Sequence, residues 1–325
     1  MNTTPPSAPV THVIPEFLNQ VRLAPRQAHK SLSVWPLVLR DEIQVQTPSY
    51  TSLGAALASG SVSITEVSDR GSVPHVRVHN RAERGVLVLF GEELRGAKQN
   101  RIANASFLVP GECELVIDVS CVEQGRWSAR PRAEFAAARE VVSAALRHKM
   151  AKRVSYSRAV GQSFDADQHE VWSEVECRLT HAQSDSRTSA YEDYRATRSH
   201  DLGEILEVFQ PLDRQVGFVA CVGDDVAGAE FIGHPSVLRQ NLRALLRSYA
   251  IDAVDAQLVE RLAEKPRAQR TRFDSPESFL AALARAAFSS SPSLGEGHDL
   301  RLDGTQVHAC ALASAELVHL TAFPE

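Results

Sequence analysis

The sequence predicts an α+β protein with a β-rich, sandwich-like or barrel-like N-terminal half, a helical middle segment, and C-terminal strands with flanking helices. Three observations predict this class. About six short segments that alternate apolar and polar residues, separated by close turns, precede residue 130. Helical periodicity replaces the alternation from residue 131, and the alternation returns after residue 211.

Turns and one short helix divide the N-terminal half into its predicted strands. The helix lies in "YTSLGAALASG" (50–60) and is closed by Gly60, because glycine readily adopts the left-handed conformation that follows a helix end. Pro110 and Gly111 supply a tight turn between the last two strands. The predicted strands are 32–40, 61–67, 73–79, 85–93, 101–109 and 113–123.

Helices dominate the predicted middle segment. The stretch "PRAEFAAAREVVSAALRHKM" (131–150) repeats apolar residues at helical spacing, and Pro131 suits the first turn of a helix. Further helices are predicted over 167–179 and 189–209.

The C-terminal third mixes both periodicities. Two strands are predicted about the Gly-Asp-Asp turn in 215–233, helices over 235–251 and from the capping residue Ser275, and a closing strand pair within 298–323. The organisation we expect is a disordered arm (1–14), a β-rich region (15–130), a helical segment (131–210), and an α/β region (211–325) packed on the β-rich region as one compact unit.

Composition excludes several classes of protein. The chain has 325 residues, of which 43% are hydrophobic, enough to bury a large core. A net charge of −5 provides no overall attraction to nucleic acid or to an anionic membrane. Five widely separated cysteines without CxxC spacing predict reduced thiols. We therefore expect a cytoplasmic protein without nucleic-acid or membrane partners.

Charged and amide side chains cluster where the predicted strand 85–93 ends. Because consecutive strand residues face opposite sides, Glu92 and Glu93 cannot form one dyad. Cations and amides beside a carboxylate can bind a phosphate, a carboxylate or a ribose, although surface ion pairs worth about 0–1 kcal/mol each are the alternative. The residues that follow are Lys98, Gln99, Asn100, Arg101 and Asn104.

A second cluster, "SCVEQGRW" (120–127), ends the predicted strand 113–123. It contains Glu123, Arg126 and Trp127, whose indole can stack on a base or ring. A short turn joins this strand to the preceding one, so the start of one strand lies beside the end of the other. We therefore expect Arg101 and Glu123 to be neighbours.

Nucleophilic and zinc chemistry have little support in the sequence. Cys121 has no adjacent cation or histidine to activate it and is expected to be a buried thiol. His75 and His79 would lie ~13 Å apart on one strand face, too far to bind one metal. The sequence leaves open Mg²⁺ or Mn²⁺ at Glu93 and Glu123, because such ions need only one or two carboxylates.

The quoted motifs resemble a bacterial family. "GEELRGAKQNRIANASFLVP" (91–110), "VSCVEQGRW", "EVWSEV" and "ELVHLTAF" are similar to the ARG and rhodanese-phosphatase-superfamily-associated protein domain, in which ARG denotes ADP-ribosylglycohydrolase. The resemblance covers roughly residues 15 to 323. It implies an association with genes that handle ADP-ribose, NAD-derived metabolites or phosphate esters. The positions it carries over are Glu92, Glu93, Gly96, Lys98, Gln99, Asn100, Arg101, Asn104, Ser120, Cys121, Glu123, Gly125, Arg126 and Trp127.

These observations lead to the hypothesis of a protein that binds an ADP-ribose-like or other nucleotide-like phosphate ligand. Lys98, Arg101 and Arg126 would hold the anion. The amides of Gln99, Asn100 and Asn104 would bind its other polar groups, and Trp127 would stack. If the protein is an enzyme, a hydrolase is expected, with Glu93 or Glu123 as general base. The alternatives are a ligand sensor without turnover and a structural scaffold that forms homo-oligomers through its middle helices.

Overall fold

The computed structural model describes residues 10–128, 134–263 and 273–325. The mixture of helices and strands confirms the predicted α+β class. The strands are β1 (Val21–Leu23), β2 (Gln27–His29), β3 (Leu32–Leu39), β4 (Tyr50–Ser52), β5 (Val62–Glu66), β6 (His75–Asn80), β7 (Gly85–Val88), β8 (Glu92–Gly96), β9 (Arg101–Ala103), β10 (Phe107–Val109), β11 (Cys113–Cys121), β12 (Phe135–Val141), β13 (Gln215–Val222), β14 (Asp225–Ile232), β15 (Ser289–Pro292), β16 (His298–Asp303), β17 (Val307–Ala313) and β18 (Leu317–Pro324). The helices are α1 (Val13–Asn19), α2 (Leu53–Ala58), α3 (Ala144–Ala159), α4 (Gln168–His181), α5 (Tyr191–Thr197), α6 (Ser199–Leu206), α7 (Pro235–Ala263) and α8 (Pro276–Ala284).

An antiparallel sheet of nine strands forms the largest layer. Its order is β1-β3-β13-β14-β18-β17-β16-β15, and β2 pairs with β3. Strands that are far apart in the sequence meet in this sheet, since Leu32 of β3 pairs with Val222 of β13. Every residue of β13 and of β17 is buried, as expected for strands that are covered on both faces.

A closed barrel of six strands lies beside this sheet. Its order is β11-β6-β5-β12-β8-β9, and a small sheet of β10, β7 and β4 accompanies it. The barrel contains strands from Val62 to Val141, so the prediction of a barrel-like N-terminal half is confirmed. Alternating side chains face the barrel interior, including Ile64, Val76 and Val78, which are fully buried.

The predicted helix over 131–150 is wrong in its first half. Residues 135–141 form β12, and helix α3 begins only after Ser143, whose side chain accepts a hydrogen bond from the Leu146 N–H. Alanine-rich sequence favours a helix, but β12 fills the gap between β5 and β8 and pairs their backbone groups. The tertiary demand of barrel closure therefore outweighs the local propensity. Residues 131–133 lie outside the described part.

Two other predicted strands are each divided by a break. The prediction of a continuous strand over 85–93 is wrong, because the chain turns at Gly91, whose φ is +76°, and β7 and β8 enter different sheets. The predicted strand 101–109 also divides, into β9 of the barrel and β10 of the small sheet. The predicted arm over residues 1–14 has helical structure from Val10 onward, and residues 1–9 lie outside the described part.

Two hydrophobic cores hold these layers together. One fills the space between the barrel, the small sheet and one face of the nine-stranded sheet, and α7 crosses it. With 29 residues, α7 is about 43 Å long at 1.5 Å per residue. The second core lies on the opposite sheet face beneath α1 and α8. Within the ranges listed above, no helix combines the length and apolar character that a membrane span requires.

A buried ion pair lies where the first core meets the nine-stranded sheet. Arg147 Nη1 of α3 is 2.7 Å from Glu230 Oε1 of β14, and both side chains are fully buried. Glu230 also accepts hydrogen bonds from the Tyr249 hydroxyl and the Thr321 hydroxyl, each at 2.8 Å. Burial alone would raise the pKa of Glu230, but Arg147 and the hydrogen bonds lower it to about 2. The pair is therefore fully charged at neutral pH.

The barrel contacts this ion pair through the turn at Gly91. A Cβ atom at Gly91 would lie only 2.6 Å from Arg147 Cδ, so only glycine permits both the positive φ and the close approach. Nearby, Ser106 Oγ accepts a hydrogen bond from the Phe90 N–H and lies 2.8 Å from His319 Nδ1. The position of the barrel relative to the sheet thus depends on Arg147 and its surroundings.

Replacement of Arg147 by Met should lower the free energy of unfolding by about 3–5 kcal/mol, because Glu230 would stay buried without its cation. The double variant Arg147→Met/Glu230→Gln should recover part of this loss, because the uncompensated charge is removed. Urea unfolding measures both. The matched control is Arg153→Met on the same helix, whose ion pair with Glu170 is exposed, and it should leave the unfolding midpoint nearly unchanged. Equal losses from both single variants would contradict this role of Arg147.

Candidate functional site

Most of the predicted site residues converge at one end of the barrel. Strands β9 and β11 pair in antiparallel register with Cys121 opposite Arg101. The Asn100 N–H donates a 3.0 Å hydrogen bond to Glu123 Oε2. The predicted proximity of Arg101 and Glu123 is therefore confirmed, and it follows from the register of this strand pair.

Glu123 holds the loops at this end of the barrel in place. Arg126 Nε and Nη2 donate to its two carboxylate oxygens at 2.8 and 2.6 Å, and the Thr188 hydroxyl donates at 3.0 Å. Burial alone would raise the pKa of Glu123, but these hydrogen bonds and that of Asn100 hold it below the ordinary value. A carboxylate that is engaged in this way is a poor general base at neutral pH.

Glu93 is also engaged by arginines. Its side chain is fully buried, with Oε2 2.5 Å from Arg195 Nη1 and Oε1 3.4 Å from Arg95 Nε. Both predicted catalytic carboxylates are thus paired with guanidinium groups. The residues do not fit the Mg²⁺ or Mn²⁺ that the sequence left open, because cations already surround both carboxylates. Within residues 10–128, 134–263 and 273–325, no group of three His, Cys, Asp or Glu residues could hold a metal.

Several predicted ligand-binding side chains make hydrogen bonds within the protein instead. Asn100 Oδ1 accepts from the Gly96 N–H at 3.2 Å, and Asn100 Nδ2 lies 3.3 Å from Glu192 Oε2. Arg126 Nη1 donates to the Ala97 carbonyl at 2.7 Å. Asn104 lies apart from this group, and its amide binds the Phe164 carbonyl and the Ser120 hydroxyl, both at 2.8 Å. These residues shape the loops.

Arg101 differs from the other arginines of the site. Its side chain is buried, and it donates to the carbonyls of Val73 at 3.0 Å and Ser72 at 3.5 Å. Arg101 Nη1 has no hydrogen-bond partner, and no carboxylate in the described ranges forms an ion pair with it. Burial lowers the pKa of Arg101, and the negative charge of Glu66 partly offsets this shift. A buried guanidinium is therefore left only partly compensated.

Four side chains near Arg101 complete what we call the Arg101 cluster. Its members besides Arg101 are Glu66, Lys98, Gln99 and Trp127. Glu66 Oε1 accepts from the Lys98 N–H at 3.2 Å, and Gln99 Nε2 donates to the Glu123 carbonyl at 3.2 Å. Glu66 Oε2 and Gln99 Oε1 are buried without a partner in the described part of the protein. The cluster thus has one unpaired donor group, on Arg101, and two unpaired acceptors.

Trp127 forms the outer wall of the Arg101 cluster. Its side chain is 48% exposed, and the cationic groups of Lys98 and Arg101 lie 5.4 and 5.7 Å from the ring centroid. A Cβ atom at Gly71, where φ is +74°, would lie 3.0–3.3 Å from Lys98 Cδ, Glu66 Oε2 and Trp127 Cζ2. Glycine at this position therefore lets the three side chains come close together.

Glu92, a motif position that was not among the expected catalytic residues, is also a functional candidate. It accepts a 3.0 Å hydrogen bond from the Leu89 N–H and lines a cavity of about 500 Å³ with Glu140 and Arg247. Burial raises the pKa of Glu92 to about 7, and the Leu89 hydrogen bond opposes this shift. Perturbed carboxyl groups in cavities are frequent at functional sites.

The side chain of Cys121 is fully buried, and burial raises the pKa of its thiol. The expectation of a buried thiol is therefore confirmed.

The fold and site together define a class: α+β proteins in which a closed six-stranded barrel, with a buried arginine at one end, packs on a nine-stranded antiparallel sheet. The chain belongs to the family described as the ARG and Rhodanese-Phosphatase-superfamily-associated Protein domain, whose model matches residues 20–323. The suspected family is thereby confirmed. No match was found among curated proteins or among solved structures.

The raised pKa of Glu92 makes stability depend on pH. Between the ordinary value of 4.5 and about 7, the folded protein keeps a proton that the unfolded chain has released. The stabilisation is therefore full below pH 4.5 and is lost as the pH rises to about 7, by about 3 kcal/mol in total. Glu92→Gln cannot ionise, and its stability should fall less between pH 4.5 and pH 8, as urea unfolding at each pH measures.

The control for this measurement is Glu83→Gln, which changes an exposed carboxylate on the turn before β7. It should keep the pH dependence of the unaltered protein. If Glu92→Gln also keeps that dependence, the pKa of Glu92 is not raised.

Proposed function

We propose that this protein binds an ADP-ribose-like or other nucleotide-like phosphate metabolite at the Arg101 cluster, in the cytoplasm. The observation that carries the proposal is the buried guanidinium of Arg101 with an unpaired Nη1. Burying a charge without a partner costs several kcal/mol, so such a group persists where a bound ligand supplies the opposite charge. A phosphate oxygen satisfies both the charge and the donor of Arg101.

The unpaired acceptors favour a sugar phosphate over inorganic phosphate. Glu66 Oε2 and Gln99 Oε1 need donors, which an anion without hydroxyl groups cannot supply. The hydroxyl groups of a ribose are donors, and its phosphate is the acceptor for Arg101. Trp127, half-exposed at the edge of the cluster, offers a ring face for a nucleobase. The combined requirements match a ribose carrying both a phosphate and a base.

Ligand binding, with or without turnover, has more support than the scaffold alternative. Both predicted catalytic carboxylates, Glu93 and Glu123, are neutralised by arginines. This pairing favours a ligand sensor without turnover. If turnover does accompany binding, hydrolysis is the expected reaction class. The scaffold alternative requires exposed apolar stripes on the middle helices. On α4 the apolar residues Val171, Val175 and Leu179 are buried within the chain.

The first test compares Arg101→Met with the unaltered protein by thermal unfolding with ADP-ribose, AMP, ribose 5-phosphate or free ribose. A ligand at about 100 times its dissociation constant adds about 2.7 kcal/mol to stability. We expect the phosphate-bearing ligands to stabilise the unaltered protein and not Arg101→Met. Without ligand, the variant should be within about 1 kcal/mol of the original, because the lost carbonyl hydrogen bonds are offset by removing a buried charge.

The matched control is Arg77→Met, on β6 of the same barrel, where Arg77 pairs with the exposed Glu114. This variant should respond to ligands normally. A loss of 3–5 kcal/mol in unliganded Arg101→Met, the range typical of a broken buried ion pair, would show that Arg101 is structural. No stabilisation by any phosphate ligand would reject the proposed function.

A second test concerns the base. Stacking of a base on an aromatic side chain is worth about 1–3 kcal/mol, so Trp127→Leu should weaken ADP-ribose and AMP binding by about tenfold or more. Ribose 5-phosphate has no base, and its affinity should change little. Isothermal titration calorimetry measures the three dissociation constants. Equal weakening of all three ligands would mean that Trp127 acts on the phosphate site and not on a base.

A further inference from the structure

A cavity separate from the Arg101 cluster lies between α2, β8, β12 and α7. Its volume of about 500 Å³ is within the range of small-molecule sites. None of its lining residues belongs to the Arg101 cluster. The polar ones that matter here are Ser52, Glu92, Glu140, Gln240, Asn241 and Arg247.

A β-bulge brings two carboxyl groups to this cavity. Val141 of β12 pairs with Glu92 of β8, so a regular strand would turn the preceding residue, Glu140, to the opposite face. The register shifts between Ala137 and Val141, and Glu140 lines the same cavity as Glu92. Bulges commonly redirect side chains beside functional sites.

Glu140 and Arg247 leave two polar atoms without partners. Arg247 Nη1 and Glu140 Oε1 form the ion pair, whereas Glu140 Oε2 and Arg247 Nε have no hydrogen-bond partner among the described residues. Glu140 is 92% buried, since its relative exposure is 8%, so the missing partners are costly. One unpaired acceptor and one unpaired donor on the same ion pair match a hydroxyl group, which both donates and accepts.

Both arginines of the cavity are already paired with carboxylates. The charged groups that line it are Glu92 from β8, Glu140 from β12, and Arg243 and Arg247 from α7, and α2 contributes none. Arg243 also pairs with the exposed Glu207 outside the cavity. A charged ligand would leave this set uncompensated. The carboxyl of Glu92, with its pKa raised to about 7, is protonated in part at neutral pH and can donate a hydrogen bond.

We propose that this cavity is a second ligand site, which takes an uncharged ring bearing several hydroxyl groups, of the chemical class of a monosaccharide or cyclic polyol. One hydroxyl bridges Arg247 Nε and Glu140 Oε2, and a second accepts from the Glu92 carboxyl. Gln240, whose Oε1 accepts from the Ser52 N–H at 3.2 Å, keeps an amide donor for a third.

The test uses saturation-transfer NMR titrations of D-ribose, D-glucose and myo-inositol against the full chain. At least one probe should bind saturably, and Arg247→Met should weaken it by about tenfold or more, the effect of losing a hydrogen bond to a charged group. Because a single replacement leaves Glu140 unpaired, the double variant Glu140→Gln/Arg247→Met is included, and it should also lose binding. Arg239→Met, an exposed arginine on α7 that does not line the cavity, should bind normally.

Two further readouts separate this site from others. Binding should weaken as the pH rises above 7 in the unaltered protein and not in Glu92→Gln, whose amide still donates. D-glucose and myo-inositol carry neither the phosphate nor the ribose proposed for the Arg101 cluster, so failure of these two probes is distinct from failure of the phosphate site. Saturable binding of none of the three probes, or binding that survives the double variant, would overturn the proposal.

Discussion

The ion pair between Arg147 and Glu230 is the constraint on which the arrangement of the layers depends. It joins α3 to β14, and the same carboxylate binds Tyr249 of α7 and Thr321 of β18. Arg147 in turn packs beneath the turn at Gly91, where the barrel meets the sheet. Apolar contacts alone tolerate small sliding of one layer on another. A buried ion pair does not tolerate such sliding, because each broken hydrogen bond leaves a buried polar group without a partner, and this costs free energy.

Buried ion pairs and hydrogen bonds also fix the geometry of the barrel end. Glu93 is fixed by Arg195 of α5, and Glu123 is fixed by Arg126 and Thr188, so helices and loops of the middle segment close over the strands of the barrel. Most residues of the sequence motif therefore form the walls of this end of the barrel. The groups left over are the guanidinium of Arg101 and the acceptors around it, and this is why a motif so rich in charge leaves so few groups free to bind a ligand.

Local sequence patterns predicted the elements whose conformation is set by neighbouring residues. Alternation located β3, β5, β6 and β11, the Ser275 cap located α8, and a short connection placed Arg101 beside Glu123. Alanine-rich composition concealed β12, because barrel closure and not propensity decides its conformation. The partners Glu66, Arg195 and Arg247 come from distant parts of the chain, and no local pattern links them to the motif. The different environments of Glu92 and Glu93 could not be predicted from the sequence, because burial and hydrogen bonding are properties of the folded state.

The nine-stranded sheet sets an order of events during synthesis. Leu32 pairs with Val222, so β3 gains this partner only when β13 has left the ribosome, about ten to forty seconds later at typical elongation rates. The barrel strands, from β5 to β12, are all available before that moment. While the barrel forms, β3 can therefore pair only with the short strands β1 and β2, and contacts of such high sequence separation make sheet completion the slow step of folding. In this interval the unpaired part of β3 is a segment that a chaperone would protect.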